Sequence, residues 1–279
     1  MTRAEIVVDL SAVRHNVAHL RELVSPAEVM VVVKADGYGH GMLEVARAAR
    51  EAGATWLGVA VMEEALALRA AGDTGPLLCW LAVPGEDYAP ALEAEVVVTA
   101  YTVEQVEAVA AAARSLGRTA ELQLKVDTGL SRGGATAAQW PDVVAAARAA
   151  EDAGDVRVGG VWSHLACSDE PDHPANDAQE TAFRDALRVA EDAGLRPRWR
   201  HLANSAAALL RPSSRFDLVR CGLASYGLSP APDVRDAAGF GLRPAMTARA
   251  ELALVKQVPA GSGVSYGHTY VTPLSLIHI

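Results

Sequence analysis

The chain has 279 residues, of which 51% are hydrophobic and 21% charged, and its formal net charge at pH 7 is −9. This length suits one large domain or two small ones, and the apolar content is enough to bury a sizeable core. The acidic balance, with a pI near 5.4, excludes the basic footprint of a nucleic-acid-binding protein. No apolar run is long enough to span a membrane, and the first residues lack the apolar core of a signal peptide.

The chain has three cysteines, Cys79, Cys167 and Cys221. They are widely spaced and form neither a metal-binding nor a disulfide pattern. We therefore predict no metal site, and this cysteine usage is typical of a reducing, cytoplasmic compartment.

The first segment, Ala4–Leu10, reads as a strand, and we assign residues 1–10 to an element that pairs with the C-terminal region. Residues 11–240 then alternate short apolar runs with alanine-rich segments, several of which stop at glycine. The predicted strands are Val29–Val33, Thr55–Ala60, Pro76–Leu81, Glu95–Ala100, Ala120–Val126, Val156–Ser163, Arg198–Leu202 and Asp217–Cys221. The predicted helices are Leu43–Ala52, Glu63–Ala71, Ala89–Glu93, Val103–Leu116, Ala137–Ala153, Asp177–Ala193 and Ser205–Leu210.

Eight strands joined by crossover helices indicate parallel pairing, and eight such units in about 200 residues predict an α/β fold of the (β/α)8 TIM-barrel type. A doubly wound open sheet is the alternative. It is disfavoured because no G-x-G-x-x-G motif follows the first strand.

The pattern changes near residue 240. The stretches 245–258 and 263–271 read as strands without an intervening helix, which predicts the start of a β-rich C-terminal domain over residues 241–273. Residues 274–279 have no turn or cap. We expect them to be an artefactual tail on a truncated, incomplete domain.

The most informative segment of the chain is 31–41, Val-Val-Val-Lys-Ala-Asp-Gly-Tyr-Gly-His-Gly. A buried strand ends here at Lys34, and active sites of barrels lie at the C-terminal ends of their strands. Lysine is rare in the chain, since only Lys34, Lys125 and Lys256 occur beside many arginines. Unlike arginine, a desolvated lysine can lose its proton and form a Schiff base. The alternative is a lysine that merely extends its ammonium group to water.

Polar residues recur at the ends of the other predicted strands. Each has a structural alternative: His164 as a core histidine, Asn204 and Ser205 as a helix cap, Arg220 as a rim ion pair. Asp127 and Arg132 could pair with each other. The strand ends are Lys34, 124–132, 162–164, 201–205 and 219–223.

The last two strand ends suit a phosphate group. Barrels often bind phosphate after strands seven and eight, and Asn204-Ser205 offers a hydroxyl and backbone N–H groups at a helix start. Gly222 permits close approach of the backbone. A phosphate site beside a Schiff-base lysine indicates pyridoxal 5′-phosphate, with Arg220 at its pyridine nitrogen.

Three blocks give the chain its resemblance to the alanine racemase family, and the resemblance extends from Ala4 to about Thr272. The blocks are 34–41 (Lys-Ala-Asp-Gly-Tyr-Gly-His-Gly), 125–132 (Lys-Val-Asp-Thr-Gly-Leu-Ser-Arg) and 263–270 (Gly-Val-Ser-Tyr-Gly-His-Thr-Tyr). The resemblance implies a pyridoxal-phosphate isomerase that interconverts L- and D-alanine for peptidoglycan. It also implies a homodimer with shared active sites. Family members continue for about a hundred residues more, so we expect this chain to be a fragment.

The resemblance assigns roles to individual residues. Lys34 carries the cofactor and is one catalytic base, and Tyr266, from the other subunit, is the opposite base. Arg132 contacts the substrate carboxylate, and Lys125 aligns with a lysine that many members carbamylate. The remaining cofactor-binding residues are Tyr38, His164, Asn204, Ser205, Arg220, Gly222 and Leu223.

Other functions remain open at this level. A racemase of broader specificity, or of serine, stays open because the sequence does not decide the size of the substrate side chain. A non-catalytic pyridoxal-phosphate barrel lacks the 263–270 block, and a decarboxylase on the same barrel requires an acidic group where Arg220 stands. A phosphate-binding barrel without pyridoxal requires Lys34 to be incidental.

Overall fold

We describe the protein from a computed structural model, which covers residues 3–274 and 276–278. The chain divides into two compact units. The larger unit is Asp9–Ala245, and the smaller combines the N-terminal strand with the residues from Met246 onward. The predicted tail, 274–279, lies partly outside the described residues.

The strands are short and most belong to the larger unit. They are β1 (Ala4–Val8), β2 (Glu28–Val32), β3 (Trp56–Val59), β4 (Leu77–Cys79), β5 (Val97–Ala100), β6 (Ala120–Lys125), β7 (Val156–Trp162), β8 (Trp199–His201), β9 (Leu218–Cys221), β10 (Met246–Ala250), β11 (Lys256–Val258), β12 (Gly263–Val264), β13 (Tyr270–Val271) and β14 (Leu276–His278).

The helices lie mainly between consecutive strands of the larger unit. They are α1 (Leu10–Val24), α2 (Lys34–Gly39), α3 (Met42–Glu51), α4 (Met62–Ala70), α5 (Ala89–Glu93), α6 (Val103–Ser115), α7 (Trp140–Asp152), α8 (Pro174–Asp192) and α9 (Ser205–Leu210), with 3₁₀ turns at Pro212–Ser214, Leu223–Tyr226, Ala238–Phe240 and Tyr266–His268.

Strands β2 to β9 form one parallel sheet in the order β8-β7-β6-β5-β4-β3-β2-β9. The two ends of this sheet meet, because the Asp217 N–H donates to the Arg200 carbonyl and the Arg220 N–H to the Ala203 carbonyl, each at 3.0 Å. The predicted (β/α)8 barrel is thereby confirmed. All carboxyl ends of its strands therefore face the same way.

Helix α1 was not among the predicted helices. Its apolar positions Val13, Val17 and Leu20 recur at helical spacing and are fully buried. Asp9 caps its first turn by accepting from the Ser11 N–H at 2.8 Å. This cap ends β1 at Val8, two residues before the predicted limit of the strand.

A separate buried cluster lies inside the barrel. It is formed by Met30, Trp56, Leu78, Val97 and Leu218, with Trp80 and Trp199 packed against it. The barrel interior is therefore a packed core, and bulky side chains hold the strands that carry the site.

In the smaller unit, β1 pairs antiparallel with β10, with Ala4 opposite Ala250 and Val8 opposite Met246. Strand β11 pairs with β14, and β12 with β13. The two long strands predicted here are wrong in extent. The second is interrupted by the 3₁₀ turn Tyr266–His268, since Ser265 and Gly267 adopt positive φ angles of 57° and 70°. Within the described part of the chain, no helix combines the length and apolarity needed to cross a membrane.

Candidate active site

A cavity of about 550 Å³ opens at the carboxyl ends of the barrel strands. The ten site residues that the sequence predicts within the larger unit all line it, and Trp80, Tyr101 and Trp162 are among its other walls. The ten are Lys34, Tyr38, Lys125, Arg132, His164, Asn204, Ser205, Arg220, Gly222 and Leu223.

Lys34 stands at the end of β2, where the backbone makes a left-handed turn. Ala35, Asp36 and Tyr38 have φ angles of 52° to 54°, in a region that disfavours side chains. Neighbouring groups hold the turn: the Ala35 N–H donates to Glu64 Oε1 at 2.7 Å, and Asp36 Oδ1 accepts from the Met42 N–H at 2.9 Å. Backbone strain of this kind clusters at functional sites.

Arg220 lies on the floor of the cavity and is only 5% exposed. One terminal nitrogen donates to His201 Nδ1 and to the His201 carbonyl, both at 3.0 Å. The other donates to the carbonyls of Ser163 at 2.6 Å and Leu202 at 3.1 Å, and to His164 Nδ1 at 3.3 Å. In the described part of the protein, Arg220 forms no ion pair and its Nε forms no hydrogen bond. The rim ion pair is therefore not its role.

His164 is held in its neutral form. Burial, followed by the charges of Arg220 and Arg132, lowers the pKa of its imidazole to about 3. Its Nδ1 already accepts from Arg220, so this nitrogen carries no proton. At neutral pH His164 thus adds no positive charge to the cavity.

Asp127 and Arg132 do not pair with each other. Asp127 Oδ1 instead accepts from the backbone N–H groups of Gly129, Leu130 and Ser131 at 2.9 to 3.1 Å, which folds the loop after β6. Arg132 is exposed at the cavity wall and forms no ion pair among the described residues. Its guanidinium is therefore available to an anionic ligand.

Lys125, at the end of β6, is 6% exposed. Its Nζ lies 4.5 Å from the centre of the Trp162 ring. Burial, followed by the charges of Arg220 and Arg132, lowers the pKa of this amine from 10.5 to about 8. About a tenth of the Lys125 amine is consequently uncharged at pH 7, far more than for an ordinary lysine.

Asn204, Ser205 and Gly222 form a polar pocket with Tyr38. Asn204 caps α9 by accepting from the Ala207 N–H, and Ser205 Oγ accepts from the Gly222 N–H at 2.9 Å. A Cβ added at Gly222 would lie 2.6 Å from Tyr38 Oη, so only glycine leaves the tyrosine hydroxyl in place. The helix cap is thus real, and it coexists with a position on the cavity wall.

Three residues support the site without having been predicted. His201 Nε2 lies 2.7 Å from Gln123 Oε1 beneath Arg220. The Tyr226 hydroxyl donates to the Val32 carbonyl at 2.9 Å and packs its ring against Tyr38. The sequence held two signals for these residues. Gln123 is a polar residue inside an apolar predicted strand, and His201 is the first residue of the strand end 201–205.

Tyr266 belongs to the smaller unit, and its side chain is 99% exposed there. Its role as a base remains a prediction from the resemblance. Among the described residues, no group of three or more His, Cys, Asp or Glu side chains is arranged to hold a metal ion.

The charge of the cavity favours an anionic ligand. Lys34, Lys125, Arg132 and Arg220 line it, and Asp169 is the one carboxylate among its described walls. The Ser205 hydroxyl, whose oxygen accepts from the Gly222 N–H, can donate its own proton to a phosphate. The site can therefore hold a phosphorylated ring with an amine at its edge.

Comparisons with known proteins agree with this geometry. The family model for the alanine racemase N-terminal domain matches residues 8–230. The alanine racemase of Salinispora tropica is 56% identical over 272 residues, which are 98% of this chain and 72% of that protein. The corresponding enzyme of Frankia casuarinae is 56% identical, over 97% of this chain and 70% of its own length.

Solved structures give the same result. The crystal structure of alanine racemase from Streptomyces lavendulae superposes with a TM-score of 0.94 at 53% identity, covering 99% of this chain and 72% of that one. The alanine racemase from Bacillus anthracis with bound L-Ala-P has a TM-score of 0.84 at 34% identity, covering 100% and 73%.

Proposed function

Because the chain belongs to the alanine racemase family and is therefore an amino-acid racemase that acts on alanine, we propose that its barrel cavity binds pyridoxal 5′-phosphate. The observation that carries the proposal is the buried Arg220, whose Nε is left without a protein partner beside Lys34 in one cavity. A buried guanidinium without a carboxylate is unfavourable unless a ligand accepts from it.

The residues present fit this cofactor. Ser205, Gly222 and Leu223 with the Tyr38 hydroxyl would hold its phosphate, and the glycine at 222 leaves the space that this contact needs. Arg220 would donate to the pyridine nitrogen. Lys34 would attach the cofactor aldehyde through its amine.

The substrate is held by charge. Arg132, free of ion pairs within the described residues, would bind the substrate carboxylate with its planar guanidinium. We propose that Lys125 is carbamylated, because its lowered pKa provides the uncharged amine that combines with carbon dioxide. The resulting anion would orient Arg132.

When bound, the cofactor supplies an electron sink that stabilises negative charge at the substrate Cα. Lys34 Nζ removes or returns the Cα proton on one face of the substrate, and Tyr266 Oη acts on the opposite face. Arg220 can donate a hydrogen bond but no proton, since guanidinium stays charged. His164, neutral beside Arg220, lies against the site without adding charge.

We propose a head-to-tail homodimer in which Tyr266 serves the other copy of the chain. The nearly complete exposure of this tyrosine in its own unit supports the proposal, because an unburied aromatic side chain is typical of an interface. We further propose that the D-alanine it forms is used for peptidoglycan. The cytoplasmic location and the domain limits remain predictions from the sequence.

The test is a visible spectrum of the purified chain with pyridoxal phosphate, before and after borohydride, followed by peptide mapping and an assay of L- to D-alanine conversion. We expect a yellow complex whose cofactor is fixed on Lys34. Lys34→Met should abolish the colour, whereas the matched control Lys256→Met should retain it. A folded chain that shows no colour would refute the cofactor assignment.

A further inference from the structure

Gln123 is a buried polar residue at the centre of the barrel. It lies in β6, is fully buried, and its Oε1 is 2.7 Å from His201 Nε2. His201, also fully buried, receives Arg220 at Nδ1. The three side chains thus form a continuous line of hydrogen bonds, the Gln123–His201–Arg220 triad.

Donor chemistry gives this triad one direction. A guanidinium has donors and no acceptor, so His201 Nδ1 must accept and cannot carry a proton. A neutral imidazole then carries its proton on Nε2, which requires an acceptor opposite. Gln123 therefore presents its oxygen to His201, and its amide group faces away.

The charge of His201 agrees with this arrangement. Complete burial, followed by the charge of Arg220, lowers the pKa of His201 far below its ordinary value. A protonated ring would also direct an N–H group at the Arg220 donor. The imidazole is neutral, and Gln123 Oε1 is the partner of its Nε2–H; without this acceptor the Nε2–H tautomer would bury an unpaired N–H group.

The cost of Gln123 indicates that its role is not mere packing. Its Nε2 is buried and has no hydrogen-bond partner among the described residues. A buried, unpaired amide N–H is unfavourable by about 1–3 kcal/mol, and an apolar side chain of the same size would avoid this loss. Glycine at position 160 leaves room for the Gln123 side chain, because a Cβ added there would lie 2.9 Å from Gln123 Cδ.

We propose that Gln123 is a positioning residue for Arg220: it fixes His201 as the Nε2–H tautomer, and His201 then holds the guanidinium with its Nε toward the cavity. This inference rests on the proposed function, in which that Nε meets the cofactor ring. Gln123 itself touches neither cofactor nor substrate. It acts through two successive hydrogen bonds.

The test is nitrogen NMR of the full chain labelled with ¹⁵N-histidine, with and without pyridoxal phosphate. In the wild type, His201 should show one protonated nitrogen, Nε2, and one unprotonated nitrogen, Nδ1. Gln123→Met, which keeps the length but removes the acceptor, should lose this single tautomer. Gln123→Glu, which keeps an acceptor oxygen, should keep it.

The same variants are assayed as enzymes. Loss of one buried hydrogen bond predicts that Gln123→Met lowers kcat about fivefold to tenfold, while KM stays within about twofold. The absorption band of the bound cofactor should shift in the same variant. Thr99→Val is the matched control, because Thr99 lies opposite Gln123 in β5 and its buried hydroxyl has no partner in the described structure.

Two results would overturn the inference. One is a wild-type His201 that is protonated on Nδ1, which needs no variant to fold. The other is a Gln123→Met protein with an unchanged tautomer and unchanged kcat. Failure of the proposed function is distinct, since it would appear as a wild type that binds no pyridoxal phosphate.

Discussion

Replacing Lys125 by methionine should stabilise the cofactor-free barrel at neutral pH. Lowering the pKa of this amine from 10.5 to about 8 means that the folded chain resists protonation that the unfolded chain accepts. The shift corresponds to about 3 kcal/mol of lost stability below pH 8. Methionine removes this penalty but also the contact of the ammonium with Trp162, worth about 1 kcal/mol. The net gain should be about 2 kcal/mol.

The sign of the pH dependence follows from the same pKa values. Because the folded value is the lower one, wild-type stability is reduced in full below pH 8 and recovers as the pH rises to 10.5. The difference in unfolding free energy between Lys125→Met and the wild type should therefore be largest at pH 7 and decrease toward pH 10.5. The variant should also lose racemase activity, because the carbamate can no longer form.

The assay is urea unfolding followed by tryptophan fluorescence in buffer depleted of carbon dioxide. All five tryptophans of the chain lie in the larger unit, so the signal reports the barrel. Lys256→Met, at an exposed lysine of the smaller unit, controls for the loss of a lysine. Adding bicarbonate should stabilise the wild type alone. The reasoning would be refuted by a difference in unfolding free energy that stays constant from pH 7 to pH 10.5, or by a variant less stable than the wild type.

Three further predictions concern the site. Arg220→Glu should keep pyridoxal-phosphate binding but raise transamination, because a carboxyl group can share a proton with the ring nitrogen; absence of pyridoxamine phosphate would contradict this account. Mixing Lys34→Ala with Tyr266→Phe should restore about a quarter of wild-type activity, since half of the dimers then hold one intact site; no recovery in re-formed dimers would exclude shared sites. Gly222→Ala should weaken cofactor binding about tenfold by displacing the hydroxyl of Tyr38. The double variant with Tyr38→Phe should lose less binding free energy than the two single variants lose together, as measured by titration with the cofactor.

The barrel and most of its site could be predicted because both depend on local patterns. Apolar runs and glycine stops mark the strands and helices, and parallel strands bring their carboxyl ends to one face. Residues as distant in sequence as Lys34 and Leu223 therefore meet in one cavity. The barrel topology alone therefore predicts that these residues come together, without knowledge of any individual contact.

What escaped prediction depends on register and backbone geometry. Gln123 meets His201 across β7, where the pairing of β6 with β7 shifts between Leu122 and Gln123. A shift of this kind leaves no periodic signal. The left-handed turn after Lys34 was equally hidden, because Ala35 and Asp36 adopt it together with the glycines.

The scarcity of lysine has a practical consequence for anyone who immobilises or labels this protein. Lys125 is buried, so besides the terminal amine the groups that amine-reactive reagents can reach are Lys34 in the cavity and the exposed Lys256. Coupling the protein to a sensor surface through amines would therefore block a large share of the binding sites. A fluorophore ester, by contrast, becomes a selective probe: ligands that fill the cavity should protect Lys34 from acylation and leave Lys256 as an internal reference.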